Sequence, residues 1–149
     1  MKTTITFALR FLLLVLSIAV SACGDSDDDN GLMGNEGSIS NPIALATDTP
    51  YWGTIANYPL GESYYSYTPG YDGHYTIALS DVTAGVDVDW FVVDYIDGSA
   101  GDPIVFCEND VANGDEICTV DLQAGTTVLF IVENFTAQYA SFAITVSAP

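Results

Sequence analysis

From Tyr51 to the end, the chain breaks into short β-rich runs closed by turn residues, and none has the spacing of an amphipathic helix. The clearest run is "HYTIALS", residues 74–80, in which Tyr75, Ile77 and Leu79 alternate with His74, Thr76, Ala78 and Ser80. Successive side chains of a strand point to opposite faces, so this run has one apolar face and one polar face. In "VDVDWFVVDY" Val86, Val88, Trp90 and Val92 share the more buried face, with Asp87 and Asp89 opposite. Phe91 and Val93 then make that run apolar on both sides. Further runs cover residues 51–55, 64–68, 104–107, 117–122, 127–133 and 139–146, and "TPGYDG", "DGSAGDP", "NGDE" and "QAG" mark joints between them. About eight short strands at this spacing predict an all-β fold, a single antiparallel β-sandwich of jelly-roll-like form. Residues 38–149 are enough for one hydrophobic core and too few for two.

The amino terminus is of another kind. Lys2 and Arg10 precede an apolar stretch over residues 11–20, followed by the small residues Ser21 and Ala22 and then Cys23. That order is a secretory signal peptide, residues 1–22, and the apolar stretch is short of the roughly 20 residues a membrane span needs. "VSAC" resembles a bacterial lipobox, in which the signal is cut before the cysteine and the cysteine carries several acyl chains. The resemblance implies lipidation at Cys23 and a membrane anchor, since each buried methylene adds about 0.8 kcal/mol. Gly24 follows the cysteine where an aspartate favours inner-membrane retention in Gram-negative systems. The expected location is therefore the outer membrane, and the acid cluster at residues 25–29 resembles the surface-export signals of some such lipoproteins. As plain chemistry, residues 23–37 are a self-repelling Gly/Asp/Asn tether with little to bury.

Both basic residues fall inside the signal, and all 20 Asp and Glu lie after it. A 127-residue mature chain (149 minus 22) of average composition holds roughly 15 Lys and Arg, against none in this one. That excludes salt bridges to Lys or Arg, guanidinium clamps on phosphate and lysine Schiff bases. Nucleic acid is excluded as a partner, because cations must replace the counterions on its phosphates. The acidity reads as adaptation to a saline milieu, with local gathering of divalent cations as a second use.

The chain has three cysteines, and assigning Cys23 to the lipid leaves Cys107 and Cys118 as a pair. An exported compartment is oxidising, so a disulfide is expected, contributing about 3 kcal/mol in the chain-entropy picture. A zinc site on two cysteines is disfavoured, because such sites usually take four ligands and His74 is the single histidine. An Asn113-Gly114 hairpin turn would pair Cys107 with Val120 rather than Cys118. Either that hairpin has a longer tip or a bulge, or the cysteines are not direct neighbours across it.

The succession "SISNPIAL", "YWGTI", "ESYYSYTPGYDGHYTIALS", "VDVDWFVVD", "LQAGTTVLFIVEN" and "ASFAITVS" resembles the bacterial pre-peptidase C-terminal domain from about Asn41 to Val146. The resemblance implies a jelly-roll sandwich of the kind appended to secreted proteases and other hydrolases. It also implies a binding role, since some relatives bind extracellular proteins such as collagen and some bind calcium. This chain departs from the pattern in having no preceding catalytic domain and in its late Cys107/Cys118 pair.

Catalysis is not expected. Serine chemistry needs a base beside the hydroxyl, and His74 falls on the polar face of its strand. Carboxylate-only hydrolysis needs two acids and a cleft, and acids are too abundant here to single out a pair. For binding, the exposed-platform candidates are Trp52, Tyr65 and Tyr67, with Tyr64 on the face opposite the latter two. The metal candidates, for calcium, are Asp94, Asp97 and Asp102 in one loop and Asp110 and Asp115 in another, neither with EF-hand spacing. The expected function is a non-enzymatic surface module for polysaccharide or extracellular protein. The alternative is an acidic structural component of the envelope with no soluble ligand.

Overall fold

The computed structural model describes residues 37–56, 61–107 and 115–149, so the expected signal peptide, the expected lipidation site Cys23 and almost all of the expected tether lie outside the described residues. The described chain contains no helix and nine strands. These are β1 (Ile43–Ala44), β2 (Tyr51–Ile55), β3 (Glu62–Tyr67), β4 (Gly73–Ser80), β5 (Val88–Ile96), β6 (Ser99–Cys107), β7 (Glu116–Leu122), β8 (Val128–Asn134) and β9 (Ala140–Ser147). They form a five-stranded sheet in the order β1-β3-β8-β5-β6 and a four-stranded sheet in the order β2-β9-β4-β7. The expected sandwich is present. Pairing is antiparallel except for the two-residue β1, which runs parallel to β3, and an isolated parallel bridge between Thr47 and Val146.

Alternation decides which residues enter the core. Tyr65, Tyr67, Tyr75, Ile77, Leu79, Val88, Trp90, Val92, Phe130, Val132, Phe142 and Ile144 fill the space between the sheets. Their rings meet edge to face, as in Tyr65 on Phe142 and Trp90 on Phe130, both at 6.1 Å between centroids. Tyr67 shares a hydrogen bond with the Thr47 hydroxyl at 2.8 Å, and Tyr75 donates to the Tyr71 carbonyl at 2.9 Å. Gly53 faces inward, where a Cβ would stand 2.9 Å from the Phe142 ring, so no larger residue fits there without moving the aromatics.

After β2 the chain changes sheet at almost every connection. The exception is the β5–β6 hairpin, where Ile96 pairs with Ser99 across Asp97 and Gly98, both at positive φ (51° and 79°). This corrects the strand bounds expected from sequence: "SAGDP" is not a joint but the first half of β6. Pro103 is tolerated because β6 is a sheet edge and the β5–β6 register shifts beside it. Buried Asn134 anchors the crossing from β8 to β9. Its amide donates to the carbonyls of Ala56 (3.0 Å) and Gln138 (2.7 Å), and its oxygen accepts from the Thr136 amide and hydroxyl.

Cys107 and Cys118 form a disulfide with Cα atoms 6.0 Å apart. They do not belong to one hairpin. Cys107 ends β6 opposite Trp90, and Cys118 lies in β7 opposite Ile77, so the bond joins the edges of the two sheets beside the buried indole. The second sequence alternative is the one observed.

Candidate functional site

The outer face of the four-stranded sheet is assembled from the outward halves of β2, β9, β4 and β7. Cross-strand register sets Trp52 beside Ala143, and Ala143 beside Ser80. The next rows place Thr145 beside Ala78 and Ile117, then Ser147 beside Thr76 and Thr119. Trp52, on the free edge of β2, is 64% exposed, and Ile117, on the opposite edge, is 60% exposed. Everything between them is a small hydroxyl or methyl side chain. The one carboxylate on these rows, Asp121, pairs with Nδ1 of His74 at the far end, both groups open to water. An ion pair so exposed contributes little to stability. His74 is thus a surface residue on an open sheet.

Tyr65 and Tyr67 do not join Trp52 in a platform. Both are buried between the sheets, because the phase of β3 that carries them is the inward one. Of the three aromatic candidates, Trp52 alone is presented to solvent. The floor beside it was not singled out from the sequence. Its signal was readable as the Thr/Ser/Ala content of each strand's polar phase, but not as a single face, because β2, β9, β4 and β7 are far apart in the chain.

The carboxylates expected to gather calcium sit differently. Asp97 occupies the hairpin turn, where its positive φ and Gly98 answer to turn geometry, while Asp94 lies on β5 and Asp102 on the exposed edge of β6. Among the described residues no three His, Cys, Asp or Glu side chains are grouped closely enough to hold a metal ion. Asp110 lies outside the described residues, and Asp115 is exposed at the start of β7.

The outer face of the five-stranded sheet carries a feature that sequence spacing did not reveal. Glu62 stands opposite Glu133, and Glu133 opposite Asp89, so three carboxylates lie side by side across β3, β8 and β5. Asp89 is only 7% exposed. The Tyr64 hydroxyl donates to Glu62, and burial, that bond and the charges of Glu62 and Glu133 push its pKa up. Next to this row the face becomes apolar, with Phe91 stacked on Phe106 at 5.7 Å. On the inward side of β7, Glu116 is buried, with Oε2 4.0 Å from the Cys107 sulfur. Its backbone carbonyl accepts from the Trp90 indole at 3.4 Å. Burial first, then the charges of Asp89 and Asp87, raise its pKa from 4.5 to about 7.

Solved structures of similar fold include two of bacterial origin. The pre-peptidase C-terminal domain of a collagenase from Bacillus anthracis superposes with a TM-score of 0.57 at 8% identity, over 72% of this chain and 95% of that one. The fold is similar to a pre-peptidase C-terminal domain. A mitogen from Yersinia pseudotuberculosis superposes with a TM-score of 0.51 at 13% identity, over 68% of this chain and 85% of its own. At these identities the likeness is one of fold. No family model matches the chain, and no curated protein sequence does.

Proposed function

We propose that the chain is a cell-envelope lipoprotein, anchored through Cys23 in the outer membrane, whose β-sandwich is a non-enzymatic surface module for polysaccharide or extracellular protein. The observation that carries this reading is Trp52, an indole 64% exposed at the edge of a sheet face of small Thr, Ser and Ala side chains. Among the exposed large apolar side chains Trp52 has the greatest fractional exposure, and an indole presents a broad apolar face with a donor at its rim for a partner to stack on. A fold similar to a collagenase's pre-peptidase C-terminal domain fits such a module. The anchor rests on the "VSAC" signal alone.

The test is a thermal-shift panel on the purified chain with its disulfide intact, using polysaccharides, gelatin, calcium, magnesium and matched-ionic-strength sodium chloride. A ligand at 100 times its dissociation constant stabilises the fold by about 2.7 kcal/mol. One polymer should raise the midpoint beyond the sodium control, with the shift lost in Trp52→Ala. The row of Glu62, Glu133 and Asp89 favours a second reading, an acidic structural component of the envelope. That reading replaces the first if ionic strength alone moves the midpoint.

A further inference from the structure

We propose that the outer face of the four-stranded sheet binds an uncharged polysaccharide laid across the strands, with one sugar ring stacked on Trp52. This rests on the reading of the domain as a binding module and names the ligand of that same surface.

Charge selects the class. Residues 23–149 contain no Lys or Arg and all 20 Asp and Glu, so a uronate or sulfated polymer meets repulsion with no cation to pair it. A cationic polymer is drawn instead to the carboxylate row of Glu62, Glu133 and Asp89 on the opposite side. On the four-stranded face the carboxylates stand at the ends, Asp121 paired with His74 at one and Asp81 accepting from the Ser80 hydroxyl at the other. A protein partner would need a desolvated centre of large side chains, whereas this face offers only Trp52 and Ile117, on opposite edges. A neutral glycan matches both of its chemistries: a pyranose ring has an apolar face for an indole and a rim of hydroxyls for Ser and Thr, which donate and accept.

Shape points the same way. The outward residues of β9 and β4 at the middle of the face, Ala143, Thr145, Thr76, Ala78 and Ser80, are all small, so no bulky side chain rises between Trp52 and Ile117. Ala143, the cross-strand neighbour of Trp52, is small and itself buried. Strands are spaced about 4.8 Å apart, close to the advance of one sugar along an extended glycan, and the three steps from β2 to β7 span ~14 Å. The face therefore accommodates two or three rings between Trp52 and Ile117.

Affinity electrophoresis of the full chain in detergent tests this, with native gels containing hydroxyethylcellulose, soluble starch, alginate or gelatin. Migration should be retarded in at least one neutral-glycan gel and not in alginate. Retardation should weaken about tenfold in Trp52→Ala and again in Thr145→Asp, each shown to be folded by circular dichroism. Phe106→Ala, on the other outer face, should keep it. Equal retardation of wild type and Trp52→Ala in the neutral gels, or stronger retardation in alginate, overturns the inference. Trp52-dependent retardation by gelatin alone overturns the neutral glycan while leaving a binding module. No Trp52-dependent retardation in any gel overturns both.

Discussion

The two outer faces of the sandwich grow from the same alternating strands, yet they carry opposite chemistry. On the four-stranded side the outward residues are mostly Thr, Ser and Ala, with Trp52 and Ile117 exposed on opposite edges and carboxylates only at the ends, Asp121 beside His74 and Asp81 beside Ser80. On the five-stranded side Glu62, Glu133 and Asp89 stand in a row, and the neighbouring Phe91, Val93, Leu129 and Ile131 are buried although they point away from the core cluster. Like charges directly across a sheet destabilise it, and this chain has no Lys or Arg after Arg10 to neutralise them. The acidity of the protein is therefore not spread evenly. A face whose carboxylates are kept to its ends in so acidic a chain is the stronger mark of use.

The largest effect should come from placing one charge on each face. Leu129→Asp buries an unpaired carboxylate where the wild-type residue is fully enclosed, and should cost about 4 kcal/mol or more, read as loss of the folded far-UV spectrum. Thr145→Asp on the half-buried, hydroxyl-bearing side should cost about 1 kcal/mol or less. If both substitutions cost the same, the contrast between the faces fails. Replacing Cys107 and Cys118 together by Ser removes the covalent link between the sheets, and should lower stability by about 3 kcal/mol in urea titrations.

Glu116 gives a smaller effect with a definite sign. Its pKa is near 7 in the fold against about 4.5 unfolded, so the folded state holds the extra proton between those values. Its contribution is complete below pH 4.5 and is lost as pH rises through 7, a fall of about 1–2 kcal/mol after allowance for solvent screening. Glu116→Gln should flatten that segment of the stability profile and raise the midpoint at pH 8. An unchanged profile would mean that Glu116 stays ionised beside Asp87 and Asp89. The smallest effect is Glu133→Gln. Breaking the carboxylate row at its centre should stabilise the fold by about 0.5 kcal/mol at low salt and weaken the response to added sodium chloride.

Much of the fold was legible in the residues. The phase of "HYTIALS" put Tyr75, Ile77 and Leu79 inside and His74 outside, and the Val86–Val88–Trp90–Val92 face is in the core. Glu116 was also within reach, since it falls in phase with Cys118, Val120 and Leu122, the inward set of β7. "DGSAGDP" misled because Gly, Asp and Pro mark a joint in most contexts. On an edge strand with a shifted register the same residues continue the strand. Tyr65 and Tyr67 misled for a simpler reason: alternation shows that they share a face, but not which face is buried.

By itself the sequence determined the all-β class, the single core, the alternation within each strand and the absence of any cation after residue 10, because these depend on neighbours along the chain and on composition. Tertiary structure alone decided which strands lie side by side. That choice joined Glu62, Glu133 and Asp89 into a row, set Trp52 at the edge of a face of small Ala, Ser and Thr side chains and turned the Cys107–Cys118 bond into a clasp between sheets. Strand pairing is a long-range selection among faces that all alternate alike, and the packing of side chains between the two sheets makes it.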